Sequence, residues 1–427
     1  MKIISCVFTL LLAIFVATPA LAAPEVAPSE RVIRNVIIRA APTGDAPRLG
    51  RLMPGEHLAL EGESAGWYQV RLPDGRTGFV SKAWTVVVEG TGSQPLTESS
   101  RQYRVHVIDV GTGLAVFIDG PDFTMLYDGG SQDDLASGAD NRIIAYINAV
   151  HPGLTTIDHL VLSHPHKDHL ELLPDIFDRF IVRNVWDSGR VNNTRGYCRF
   201  LRKVEAEPGV QYHDAIATGG FHEATFTGSG CSGLVRIPQA AQMSAAPVTL
   251  GAGAQMTILY RDTTPYPDPN GNSVVVRLDL GTSRVLLAGD AEGGERELPA
   301  NPPDPQSIEG RLLACCIADL RADVLVVGHH GSLTSTRAAF LHAVNPAISV
   351  ISSGPHAYSG RVLPDAEIVA ELRAQGQLFS TAEGDEACAS NPAKIGPDSD
   401  ESPGGCKNVL VMVGAGAPTA SYNEISD

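Results

Sequence analysis

One short stretch, residues 163–169, constrains this chain more than any other. It places His164, His166, Asp168 and His169 within a single turn of sequence. The residues before it, 157–162, are β-branched and apolar and predict a buried strand. Pro165 ends that strand, and a helix is expected over Leu170–Phe180. Four polar side chains are thus held in a loop at a strand's end, where chemistry is usually placed. Neutral imidazole and carboxylate are ligands for zinc, manganese or iron. In a tight turn, His164 and His166 can face one way and Asp168 and His169 another. That arrangement suits two metals sharing one site, roughly 3.5–4 Å apart in two-metal enzymes. The bland alternative is a surface loop that happens to be rich in histidine, and the downstream sequence argues against it.

Two later stretches repeat the pattern. The apolar run 285–288 leads into Asp290 and Glu292, and the run 323–327 leads into His329, His330, Gly331 and Ser332. Each sets a ligand-type residue at a strand's end. Together the three stretches resemble the signature of the metallo-β-lactamase-fold hydrolases. The sequence is most similar to the competence-type branch, the soluble nuclease-like domain of DNA-uptake channel proteins, and to the related phosphorylcholine esterases. The resemblance runs from about Tyr103 to about Val413. It implies an α/β fold, an αββα sandwich of two mixed sheets with helices outside.

The resemblance also implies roles. The first of two divalent cations would take His164, His166 and Asp290, and the second Asp168, His169 and His330, with Asp290 as a bridge. Zinc is the first expectation, with manganese or iron as alternatives. A cation pair lowers the pKa of bridging water from about 16 towards neutrality and balances charge on a phosphoryl oxygen. Asp168 and His329 are the expected catalytic residues, His329 contacting substrate phosphate or protonating a leaving group. Asp128, after the strand 124–127, matches an aspartate that braces the metal loop from behind. Asn272 is expected either to donate to a substrate oxygen or to cap a turn, and Ser332 to offer a further donor. Many relatives carry one more metal histidine within the stretch matching 189–247, where His213 and His222 are the candidates. Neither ends an apolar strand, and the competence-type branch often lacks that ligand. Where relatives have Tyr-Gly-His-Pro, this chain has His356, Tyr358 and Arg361, with Arg361 or His356 as stand-ins.

The N-terminal part reads differently. Met1–Ala22 carries a lysine, an apolar run over 3–17 and a small-residue site, and predicts a secretory signal peptide. The run is too short for a comfortable membrane span, and no other segment could span. The mature protein is therefore expected to be periplasmic or secreted. Residues 23–30 read as a disordered leader, and 31–88 as short strands with Gly/Pro turns, a small all-β barrel. Trp67, Tyr68 and Val70, with Gly75, Gly78, Phe79 and Val80, resemble a bacterial SH3 domain, which implies contact with peptidoglycan. Residues 89–101 read as a linker and 102–420 as the hydrolase domain.

Six cysteines remain once Cys6 leaves with the signal, an even number that permits disulfides in an exported protein. Cys388 with Cys406 would close the Gly/Pro/Asp/Ser-rich loop 389–405, and Cys198 with Cys231 is the second expectation. Cys315 and Cys316, being adjacent, are expected not to pair with each other. A formal net charge of −16 counts against tight non-specific binding of nucleic acid, yet leaves room for a local basic groove or a metal site. The expected function is an exported metal-dependent phosphodiesterase or nuclease, acting on DNA or a wall polymer. The alternatives are a wall-associated phosphorylcholine-type esterase and a non-catalytic wall-binding protein with a structural metal site.

Overall fold

The computed structural model describes residues 24–29, 31–32, 35–52, 57–72, 76–88, 102–135, 137–216, 220–383, 388 and 404–422. The expected signal peptide and linker lie outside the described residues. The chain divides into two compact units, residues 1–96 and 97–427.

Among the described residues of the first unit, seven antiparallel strands form one sheet. Val26, Val36, Ile38, Leu52, Val70 and Val80 make its core. The leader expected to be disordered instead supplies the strand Glu25–Pro28. Val26 pairs with Leu58 on one side and Val87 on the other and is fully buried. Burial of this one apolar side chain between two strands outweighs the Pro/Ala content around it.

In the second unit two large sheets face each other. One has eight strands, in the order Gln211–Asp214, Ile181–Asp187, Thr156–Leu162, Thr124–Tyr127, Val116–Asp119, Tyr103–Val107, Val409–Val413, Thr419–Tyr422. The other has seven, from Val248–Gly251 at one edge to Gln377–Ser380 at the other. Val105, Val116, Met125 and Val161 from the first pack with Met256, Val276, Leu287 and Val326 from the second. Leu160 and Leu162, on the opposite face of their strand from Val161, pack with Ile143, Ile176 and Leu201 of the helices Arg142–Val150, Leu173–Arg179 and Arg195–Ala206. Leu286 and Leu325 likewise join Leu312, Phe340 and Leu372 of helices over the second sheet. This is the αββα sandwich. Its central strands are apolar on both faces, as strands covered on both sides must be.

Some elements differ from the sequence expectation. The single helix Leu170–Phe180 is two pieces, Lys167–Leu170 and Leu173–Arg179. Pro174 lacks the N–H that would carry one helix across. The helix Ile308–Cys316 starts where it does because Ser307 accepts a hydrogen bond from the Gly310 N–H and caps it. The stretch 189–247 holds the helix Arg195–Ala206, capped by Thr194, and the hairpin Phe221–Phe226/Gly233–Pro238. The disulfide Cys198–Cys231 ties the two together, and Cys388–Cys406 also forms. Cys315 and Cys316, expected to stay apart, are bonded to each other. Their helix ends there, and Cys316 leaves helical geometry (φ −139°, ψ 26°), which lets neighbouring side chains turn together. Among the described residues no helix is long and apolar enough to cross a membrane.

His106 sits in the first sheet, 2% exposed, with its Nδ1 2.9 Å from the Tyr146 hydroxyl. Burial pushes its imidazole down to about 3, against the pull of Asp119. The folded chain therefore favours neutral His106, while the unfolded chain takes up a proton near the ordinary 6.5. Stability from this group is present above 6.5 and is lost as pH falls towards about 3. Thermal melts from about pH 7.5 to about pH 5 are expected to lose up to ~1.4 kcal/mol per pH unit through His106. A His106→Gln variant should show a flatter profile; an unchanged slope would contradict this account.

Candidate metal centre

The strands Thr124–Tyr127, Thr156–Leu162 and Ile181–Asp187 are parallel in one sheet, and Ser283–Leu287, Val324–Val326 and Ile348–Ile351 are parallel in the other. Their carboxyl ends carry Asp128, the loop 163–169, Asp290, the pair His329–His330 and Ser352. Open α/β sheets gather functional groups at such ends.

Asp290 lies at the centre, 2% exposed. Its Oδ1 is 3.1 Å from His169 Nε2 and 3.7 Å from His330 Nε2. Its Oδ2 is 3.6 Å from His164 Nε2 and 3.9 Å from His329 Nε2. Asp168 Oδ2 approaches His330 Nε2 at 3.4 Å. His166 Nδ1 is 3.0 Å from His164 Nε2. Four of the rings are held by their other nitrogen. His169 Nδ1 meets Asp128 Oδ2 at 2.8 Å, and His330 Nδ1 donates to the Ser352 carbonyl at 2.8 Å. His164 Nδ1 is 3.0 Å from Ser163 Oγ. His329 Nδ1 lies 2.6 Å from Thr334 Oγ1 and 3.0 Å from Glu292 Oε1. A hydrogen bond at Nδ1 leaves the Nε2 lone pair facing inward, the tautomer a metal requires.

Backbone geometry serves the same end. Asp128 (φ 57°), His329 (φ 47°) and His330 (φ 53°) are all left-handed, a conformation that costs a non-glycine residue about 1–2 kcal/mol. Asp128 accepts from the Ser163 N–H (2.6 Å) and hydroxyl (2.7 Å), which fixes the start of the histidine loop. Gly130 passes so near that loop that a Cβ there would sit 2.2 Å from the His169 nitrogen.

The electrostatics of the cluster are those of a cation site. Burial pushes the Asp290 carboxyl up, but His169, His330, His329 and His164 outweigh it and hold the group well below the usual range. Burial, with His169 beside it, pushes His164 well down. Burial would lower His329 too, yet Asp290 and Glu292 raise it to about 9. His169 Nε2, His330 Nε2 and Asp290 Oδ1 are buried and make no hydrogen bond. Such atoms cost roughly 1–3 kcal/mol each when left unmet, and a divalent cation would meet all three. Ligand atoms of His164, His169 and Asp290, and of Asp168, His169 and His330, form two groups within 4.8 Å. The donor set therefore fits a divalent metal centre.

Other candidates stand elsewhere. His213 stacks on Trp186 with ring centroids 3.9 Å apart, and buried His222 is 2.7 Å from Asp214. The Asn272 amide donates to the carbonyls of Asp262 (2.7 Å) and Thr264 (2.9 Å), bracing that loop. Ser332 Oγ, 2% exposed as a residue, accepts from Arg296 Nη1 at 3.0 Å. Arg361 is exposed and His356 half-buried, and the residue of that hairpin that reaches the cluster is Tyr358. Its hydroxyl donates to Asp168 Oδ2, and its ring lies parallel to His330. The sequence signal was there, a tyrosine within the segment matching Tyr-Gly-His-Pro. Asn270, two residues before Asn272, brings its amide to 3.4 Å from His329 Nε2.

The model of the metallo-beta-lactamase superfamily matches residues 108–356, and that of the bacterial SH3 domain matches residues 34–86. Recombination protein 2 of Haemophilus influenzae is 27% identical over 277 residues, 65% of this chain and 27% of that protein. Competence protein ComA of Neisseria gonorrhoeae is 25% identical over 279 residues, 65% of this chain and 31% of that protein. The chain thus spans less than a third of the length of these curated relatives. Among solved structures, the metallo-beta-lactamase fold protein YhfI from Bacillus subtilis is 13% identical, with a TM-score of 0.38 over 66% of this chain and 98% of that one.

The support for the histidine loop can be tested separately from its ligands. Asp128→Asn is expected to weaken metal affinity by about 10–100-fold while the chain stays folded. Gly130→Ala should instead lower the melting temperature, since the added Cβ meets backbone. Metal affinity measured by chelator competition, with a thermal melt beside it, checks both.

Proposed function

This chain belongs to the metallo-beta-lactamase superfamily, and from that premise we propose that it is an exported metal-dependent phosphodiesterase working with a pair of divalent cations. The observation that carries this reading is the divided carboxylate of Asp290, with one oxygen facing His169 and His330 and the other facing His164. His164 and His166 with Asp290 Oδ2 would hold one cation. Asp168, His169 and His330 with Asp290 Oδ1 would hold the other. Zinc is the first candidate for an imidazole-rich set, with manganese or iron next. Bound there, the pair would supply a nucleophilic water at neutral pH and offset charge on the phosphoryl oxygens.

The chain's own residues do the rest. Asp128 holds His169 in one tautomer and orientation. Asp168, half of whose carboxylate is taken by Tyr358, fixes that hydroxyl at the mouth of the site. The Tyr358 hydroxyl, its one hydrogen given to Asp168, keeps its oxygen lone pairs for a donor on the substrate.

The names of two relatives concern recombination and competence, which makes DNA the first substrate to test. The bacterial SH3 match favours a second reading, a wall-linked or choline-type phosphodiester to which the N-terminal unit would deliver the enzyme. Both readings place the protein in the periplasm or outside the cell.

Hydrolysis of bis-p-nitrophenyl phosphate by the full chain tests the reading. Activity is expected to vanish on chelation and return with zinc or manganese. His166→Ala and Asp290→Ala should lower turnover by at least about 100-fold, with the SH3-like unit still folded. No turnover with a full metal complement would sink the phosphodiesterase reading and favour a wall-binding protein with a structural metal.

A further inference from the structure

We infer that His329 is a ligand of the first cation, completing a set of His164, His166, His329 and Asp290. The inference rests on the two-cation reading above and replaces the substrate-side role that the sequence suggested for this histidine. The segment 189–247 offers two histidines, His213 and His222, as further candidates. Here both histidines of that segment are committed elsewhere, His213 to Trp186 and His222 to Asp214. The first cation would otherwise have two imidazoles and one carboxylate oxygen.

Three observations place His329 there. Its Nε2 faces the same oxygen of Asp290 as His164 does, at 3.9 Å against 3.6 Å, while His169 and His330 face the other oxygen. His166 Nδ1 lies 3.0 Å from His164 Nε2, on the same side of the site. Next, its Nδ1 is held by a carboxylate and a hydroxyl, Glu292 Oε1 at 3.0 Å and Thr334 Oγ1 at 2.6 Å. His169 has the same support from Asp128. A metal-ligating histidine almost always has such a clamp. The competing contact at Nε2, the Asn270 amide at 3.4 Å, is long for a hydrogen bond.

The backbone supplies the third observation. His329 and His330 are consecutive left-handed residues (φ 47°, ψ 46° and φ 53°, ψ 22°). The His329 N–H donates to the Gly289 carbonyl at 3.0 Å, tying this turn to the loop that carries Asp290. The result separates the two rings, with centroids 6.3 Å apart, and sends one imidazole to each oxygen of the same carboxylate. Strain of this kind persists where function requires it. Glu292 is then a positioning residue for the first cation, as Asp128 is for the second.

The test is zinc binding by the full chain, stripped with chelator and titrated against a competing chromophoric chelator. The wild type should take up two zinc ions. His329→Asn should keep one at wild-type affinity and bind the other at least about 100-fold more weakly; asparagine tolerates the positive φ. Adding His330→Asn should release the remaining ion. Glu292→Gln leaves the turn itself intact and should weaken the His329-dependent ion alone, by about 10–100-fold. Two ions bound by both His329→Asn and Glu292→Gln as tightly as by wild type would overturn the assignment and leave the two-cation reading standing. Fewer than two ions on the wild type would overturn that reading, and this inference with it.

Discussion

A carboxylate buried among imidazoles is the constraint that the second unit is built to satisfy. Taken alone, a buried Asp290 would be driven to its neutral form. Four imidazoles keep it charged, and each of those rings must itself be turned inward by a partner at Nδ1. The partners come from separated parts of the sequence: Ser163 and Asp128 from the first sheet, Ser352, Thr334 and Glu292 from the second half. Neither half of the chain could assemble the site without the other.

The fold makes that assembly possible by aligning the carboxyl ends of parallel strands from two facing sheets. Gly289 (φ 54°) lets the Asp290 loop pass against the first sheet, where a Cβ would sit 2.8 Å from Ser163 Cβ. Tyr127 crosses the interface to donate to the Val274 carbonyl at 2.8 Å, and Ser273 Oγ accepts from the Asp290 N–H at 3.2 Å. Behind the His329–His330 turn, buried Glu309 accepts the Thr336 and Arg337 N–H groups. Each of these contacts fixes a strand end, so positional precision at the centre derives from packing several residues away.

Much of this was legible in the sequence, because the signals were local. An apolar run ending in His164 or Asp290 states both a strand and what stands at its end. Asp128 was legible for the same reason. The disulfides Cys198–Cys231 and Cys388–Cys406 followed from number and spacing, while the adjacent pair Cys315–Cys316 depended on a helix ending that the sequence did not mark. The strand Glu25–Pro28 was missed because its stability comes from partners more than thirty residues away. The helix Arg195–Ala206 did carry a signal, Tyr197, Phe200, Leu201 and Val204 spaced three and four apart, hidden among glycine and serine clusters. Asn272 and Ser332 show the converse. Their residue types allowed a substrate contact or, for Asn272, a turn cap, and what the structure adds is their partners, the carbonyls of Asp262 and Thr264 for Asn272 and Arg296 for Ser332. Which oxygen of Asp290 each of His329 and His330 faces was likewise out of reach, since it depends on two left-handed backbone positions.

The most direct test of the account is a crystal structure of the zinc-loaded full chain with anomalous data collected at the zinc edge. It predicts two anomalous peaks, one against each carboxylate oxygen of Asp290. A single peak, or peaks away from Asp290, would contradict the claim that this carboxylate divides the site.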